Sequence, residues 1–288
     1  MTNETTDNVA PEGTAPTTAG VTTPELVFDV RDITLRFGGV VSLRNVTMHM
    51  NRGEILAVIG PNGAGKTSLF NSLTGVYEPQ EGEIDFTDRS GRTIAVIGKK
   101  THRIARAGVS RTFQASRVFS ALTVFENVKI GAESHAGIGV VGAMLRGPAT
   151  RRGERISDEL TLELLEFVGL RKEANLIASG LSYGGRRRLE IARAIATDPD
   201  VILLDEPAAG TNPSEKLELA ALIRRVRDER KVSVLLIEHD MKLVMSLAER
   251  IYVLNFGGVL AQGLPAEIRA NPAVVEAYLG TSTTEGAA

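Results

Sequence analysis

Eight residues, GPNGAGKT at positions 60–67, constrain this chain more than any other stretch. They fit the template G-x-x-x-x-G-K-[ST] in full. Their context agrees. Residues 54–59 are a short, continuous, β-branched run, as a buried strand should be, and 66–74 read as a helix. Glycines let the backbone curl so that successive N–H groups face a phosphate chain, and the helix start adds its dipole. Gly60, Pro61, Asn62, Gly63, Ala64 and Gly65, with Lys66, Thr67 and Ser68 at the helix start, are therefore the candidate nucleotide-binding set. Lys66 supplies a point charge for the β- and γ-phosphates, and Thr67 offers a hydroxyl to Mg²⁺. A chance Gly-rich turn would lack the flanking strand and helix.

A second run, VILLDEP at 201–207, carries apolar residues through a sheet and releases two acids at its carboxyl end. Ligands of open α/β sheets bind at that end. Asp205 suits Mg²⁺ coordination, and Glu206, one residue on, suits orienting or deprotonating an attacking water. Alone, two acids after a strand are as readily the start of the next helix. Beside a P-loop they read as catalytic.

The rest of the chain fits a layered α/β protein. Residues 26–35 and 40–50 alternate as strands around the turn RFGG, and 82–86 and 93–97 are further strands around a turn at 89–91. Residues 122–180 have helical spacing, as at Leu160, Leu164, Leu165 and Val168, with a loop and a short helix expected over 137–153. Residues 181–196 are helical again. The apolar runs 201–204 and 232–237 flank a helix over 213–230, and such alternation implies a parallel sheet. Residues 1–24 hold Thr, Ala, Pro and Gly with no Lys or Arg, and are expected to be a disordered tail.

Composition narrows the function classes. The chain has 288 residues, 43% of them hydrophobic, which is enough for one large core or two unequal lobes. A formal net charge of −2 gives no overall basic bias toward nucleic acid, and the absence of cysteine removes disulfides, thiolate zinc sites and a cysteine nucleophile. No apolar stretch approaches the roughly 20 residues that span a bilayer. A membrane role would have to run through a partner.

Between the two acidic and glycine-rich runs lies LSYGGRRRLEIARAIA, starting at Leu181. It resembles the signature of the ABC ATPase family, usually L-S-G-G-Q at a helix start. The other elements follow in the family's order. Gln114 in RTFQ matches the Q-loop, AAGTNP at 208–213 the D-loop, His239 in IEHDM the H-loop, and Phe37 in RFGG the aromatic A-loop position. The resemblance covers about residues 26–280. It implies a P-loop NTPase core with a mixed sheet and helices, an antiparallel β subdomain, and an α-helical signature subdomain at about 115–195. The ATPase domain would run over 25–280, with a flexible tail at 281–288.

The resemblance also implies roles. Two such domains pair head to tail, each ATP lying between one P-loop and the other chain's signature. Phe37 would stack on adenine. Ser182 and the Gly184 backbone would reach the γ-phosphate across the interface. Gln114 would touch Mg²⁺, which Thr67 and Asp205 also hold. Glu206, His239 and Lys66 would form the catalytic set. Each residue has a plainer alternative: Ser182 as a helix cap, Phe37 as a core aromatic, His239 as a buried histidine, and Arg186, Arg187 and Arg188 as a solvated face. Two positions depart from the family pattern. Gly185 stands where Gln is usual, and Thr211 where the D-loop has Leu. Gly185 is expected to weaken the composite site.

Within the family, GVSRTFQ, LTVFENV, LDEPAAGTNP, IEHDMKLVM and NPAVVEAYLG resemble the ATP-binding subunit of branched-chain amino acid importers. The implied partners are integral membrane permease subunits, a second ABC ATPase chain and an extracytoplasmic solute-binding protein, with no nucleic acid. The implied place is the cytoplasmic face of the cell membrane. ATPases of urea or short-amide importers and of lipopolysaccharide transporters are similar. A soluble ABC ATPase acting on nucleic acid would carry heptads, zinc modules or a second ATPase domain, none of which is present.

Overall fold

The computed structural model describes residues 25–112, 118–135 and 148–279. The tails expected at 1–24 and 281–288 lie outside them, as does Gln114. Strands β1 (Leu26–Phe37) and β2 (Val40–Asn51) form a long antiparallel hairpin. With β4 (Glu81–Thr87) and β5 (Thr93–Ala95) they make a four-stranded antiparallel sheet in the order β2-β1-β4-β5.

The second sheet holds β3 (Ile55–Ile59), β6 (Val109–Arg111), β7 (Val201–Asp205), β8 (Ser233–Ile237), β9 (Arg250–Asn255) and β10 (Gly258–Gly263). Their order is β10-β9-β3-β8-β7-β6, parallel except for β10, which returns antiparallel along β9. The sheet is therefore mixed, and the hairpin over 250–263 adds to the strands expected from the sequence.

Every residue of β3, β7 and β8 is buried because both faces of this sheet are covered. In β7 and β8 the period of two divides each strand between two cores. Val201, Leu203, Leu235 and Ile237 face the cluster that holds the antiparallel sheet and α1 (Lys66–Leu73). Ile202, Leu204, Val234 and Leu236 face the opposite cluster. There they meet α3 (Val124–His135), α4 (Pro148–Phe167), α5 (Tyr183–Ile195) and α6 (Pro213–Arg230). Helix α2 (Thr101–Arg106) leads into β6. A third cluster packs α7 (Met241–Leu247), α8 (Pro265–Ala270) and α9 (Pro272–Leu279) behind β3 and β9.

One sequence expectation needs correction. Residues 148–153, expected within a loop with a short helix, instead open α4, a continuous helix of 20 residues. Its apolar stripe at Leu160, Leu164 and Leu165 packs on the core, and that burial outweighs the helix-weakening Gly153. The helix starts are set locally. Asn212 and Glu215 form a capping box with Pro213 following, and Asp240 caps α7 through the N–H groups of Lys242 and Leu243.

Candidate functional site

The P-loop curls as its glycines require. Gly60, Gly63 and Gly65 have φ of 153°, 79° and 100°. At Gly60 a Cβ would lie 2.2 Å from the Leu254 carbonyl, and at Gly65 2.7 Å from the Ser42 carbonyl. The loop is thus wedged between β9 and β2, and a hydroxyl pair, Ser42 to Ser68 at 2.7 Å, fastens the start of α1 to β2. No side chain caps α1, whose first N–H groups are left for an anion. The Lys66 ammonium donates to the Gly60 and Pro61 carbonyls at 2.7 and 2.9 Å, lying across the concavity. Burial lowers its pKa, against the opposing charges of Glu206 and Asp205, so both acids act on the same spot as the loop.

Asp205 and Glu206 diverge at the end of β7. Asp205 is buried and accepts from the Arg111 guanidinium at 2.8 Å; Arg111 also reaches Asn71 of α1 at 2.6 Å. Glu206 turns the other way. Its φ of 47° places a non-glycine residue in the left-handed region, held there by its N–H bond to the Ile237 carbonyl at 2.9 Å. Its carboxylate lies 3.9 Å from the Nδ1 of His239, which follows β8. Since β7 and β8 are parallel neighbours, the sheet itself brings these two residues together. His239 is largely exposed, so its plainer reading as a buried histidine does not hold.

Phe37 is also no core aromatic. It is 46% exposed at the end of β1, and Tyr77 braces it edge-on with ring centroids 4.9 Å apart. No sequence signal marks Tyr77 for this role. Ser182 caps α5 by accepting from the Gly185 N–H at 3.1 Å, and both Ser182 and Tyr183 are exposed. Gly184 packs so closely on Glu215 of α6 that a Cβ would sit 2.8 Å from its carboxylate. The arginine run is not a uniformly solvated face. Arg187 is buried, paired with Glu190 at 2.9 Å and bonded to the Tyr183 hydroxyl at 2.7 Å. Nothing in its local sequence signals this, because the packing of α5 selects which arginine turns inward.

Comparison with known proteins shows the family. The profile of the ABC transporter family matches residues 43–209, and that of the branched-chain amino acid ATP-binding cassette transporter matches 259–283. The chain belongs to the ABC transporter family. It is 46% identical to the high-affinity branched-chain amino acid transport ATP-binding protein LivG of Salmonella typhimurium, over 87% of this chain and 96% of that protein. BraF of Pseudomonas aeruginosa, described in the same words, is 45% identical over 88% of this chain and 98% of its own length. A crystal structure of a nucleotide-free ATP-binding cassette from an ABC transporter superposes with a TM-score of 0.74 at 28% identity, covering 88% of this chain and 98% of that one.

The chain is therefore an ABC-type ATPase, a nucleotide-binding subunit whose hydrolysis is coupled to transport. Among the described residues no helix is long and apolar enough to cross a membrane. In this ABC ATPase the P-loop, the two acids and the H-loop histidine gather at the carboxyl ends of β3, β7 and β8.

Proposed function

We propose that this ABC ATPase powers the import of branched-chain amino acids across the cytoplasmic membrane. The observation that carries the substrate class is kinship along the whole chain. The relatives named for branched-chain amino acid transport are matched over nearly their full length, and the profile at 259–283 is specific to that group. The proposed assembly has two ATPase chains, two membrane permeases and an extracytoplasmic solute-binding protein, with the ATPases at the cytoplasmic face. Residues 25–280 form the ATPase unit in this reading, with the helical subdomain at 115–195.

The proposed chemistry follows from the site. Gly60, Pro61, Asn62, Gly63, Ala64, Gly65, Lys66, Thr67 and Ser68 hold the phosphates, and Phe37 stacks on adenine. Lys66 leaves the loop carbonyls for the β/γ-phosphates, which offer it stronger, charged acceptors. Thr67, Asp205 and, by the family resemblance, Gln114 hold Mg²⁺. Hard oxygen donors suit this ion, and among the described residues no three acidic or histidine side chains converge on one point. Bound there, the ion would supply positive charge against the phosphates. Glu206 orients and deprotonates the attacking water, and His239 holds the γ-phosphate or that water. Ser182 and Gly184 close the site from the other chain. Gly185 leaves that contact weaker than a glutamine would, and its buried position, with a Cβ 3.3 Å from the Ser182 hydroxyl, resists enlargement.

The test is co-purification with the permeases, reconstitution and uptake assays. Uptake of leucine, isoleucine and valine, lost in the Glu206→Gln complex, is expected. ATP-driven uptake of urea or amides, or extraction of lipopolysaccharide, with no uptake of these amino acids, overturns the substrate reading.

A further inference from the structure

The residue before the H-loop histidine is a carboxylate that the proposed chemistry does not use. Glu238 is 1% exposed. One of its oxygens accepts from the Ala208 N–H at 2.8 Å, at the start of the D-loop and two residues past Glu206. The other accepts from the N–H groups of His239 and Asp240 at 3.0 and 3.3 Å. That same oxygen lies 3.8 Å from the His239 Nδ1. The same Nδ1 thus faces two carboxylates, with a Glu206 oxygen at 3.9 Å. Beyond it, Asp240 caps α7 and pairs with Lys216 of α6 at 2.5 Å.

We infer that Glu238 is a positioning residue for His239, and that it locks the D-loop to the H-loop. This inference rests on the proposed roles of Glu206 and His239. A buried carboxylate is costly unless its lone pairs are used, and three backbone N–H groups use these. Those N–H groups come from the segments that follow β7 and β8. Glu206 opens one segment and His239 is the second residue of the other, and both must address one water and one γ-phosphate. The bridge through Glu238 sets their separation. Any displacement of the D-loop at Ala208 is passed to the backbone of His239 through a single side chain. The negative charge beside Nδ1 also favours the tautomer with its proton on Nδ1, which leaves Nε2 as an acceptor.

Glu238→Gln is the discriminating variant. It preserves size and one acceptor, but its amide NH₂ must face backbone donors on one of the two loops. In the full-length chain, with Mg-ATP, kcat is expected to fall about ten- to a hundredfold, as loosened alignment costs. The Michaelis constant and nucleotide affinity should stay within about twofold, because no phosphate contact is lost. In a His239→Ala background the same change should have no further effect on kcat. The chain has only four histidines, so the His239 ring nitrogens can be assigned in ¹⁵N-labelled protein by comparison with His239→Ala. Their shifts should report a tautomer change in Glu238→Gln. If that variant misfolds, Glu238→Asp, which keeps the charge but is one methylene short of bridging both loops, takes its place in each measurement. Fully additive losses with His239→Ala, or unchanged ring-nitrogen shifts, overturn the inference. A Glu206→Gln variant that hydrolyses normally would instead sink the proposed roles on which it stands.

Discussion

The P-loop and signature regions of this protein are built differently. The P-loop region is finished within the chain. Its glycines are wedged against β9 and β2, its lysine already lies over the concavity, and Asp205 is buried in an ion pair that ties β7 to β6 and α1. The signature region is the reverse. Ser182 and Tyr183 stand exposed at the tip of α5, and the serine hydroxyl is spent on its own helix cap. The difference teaches that the first region stores its geometry in the fold, whereas the second presents a surface and needs a second molecule to give it meaning. Substitutions in the two should therefore separate binding and chemistry from association.

The largest expected effect is at Glu206. Glu206→Gln keeps shape but removes basicity, and the loss of a general base costs about 10²–10⁴ in rate. ATP binding should persist, and the ATP-bound dimer should accumulate as a doubled mass in light scattering with ATP and Mg²⁺. Near-normal turnover would shift the catalytic role to His239. Lost binding would show that the carboxylate serves structure or metal.

Phe37 tests whether the first region extends to the β1 end. Base–aromatic stacking is worth roughly 1–3 kcal/mol, so Phe37→Ala should raise the ATP dissociation constant about tenfold. An unchanged constant in the folded variant would confine the nucleotide site to the phosphate end.

Ser182 tests the second region. Ser182→Ala should lose a cap worth about 1 kcal/mol, a drop of a few degrees in Tm. ATP binding by the isolated chain should not change, while trapping of the dimer in the Glu206→Gln background should weaken. Weakened ATP binding in the monomer would erase the contrast between the two regions.

The smallest effect concerns the H-loop cap. The Lys216 ammonium, helped by the N–H groups of Lys242 and Leu243, holds the Asp240 carboxyl below its ordinary pKa. A depressed acid contributes stability above its unfolded pKa, near 3.8, and loses it as pH falls through the folded value. Asp240→Asn should therefore be less stable than wild type in urea at pH 7, with the gap closing below about pH 4. A gap that does not shrink as pH falls below 3.8 would assign the effect to packing and not to charge.

How far the sequence could be read depended on how local each signal is. The P-loop and the acidic pair are short-range patterns in which backbone geometry demands particular residue types, and both were legible. The strands β7 and β8 were legible as continuous apolar runs, but not which residue faces which core. The hairpin of β9 and β10 escaped notice because its Asn255–Gly258 turn signals only a local reversal. Arg111 and Tyr77 carried no signal, since their partners, Asp205 and Phe37, lie 94 and 40 residues away.

The sequence by itself determined the chemistry. It specified a phosphate-cradling loop with its lysine and hydroxyl, two acids at a strand end, a histidine after another strand, and the order of motifs that marks the family. Each of these is written within a handful of adjacent residues. The tertiary structure alone decided which groups share a site. It chose Glu206 and His239 as neighbours through parallel pairing of β7 and β8, turned Arg187 inward from a run of three arginines, and placed Glu238 between two loops. The reason is physical. Local backbone demands act between neighbours along the chain, whereas burial and hydrogen-bond satisfaction are settled only when distant segments meet and exclude water.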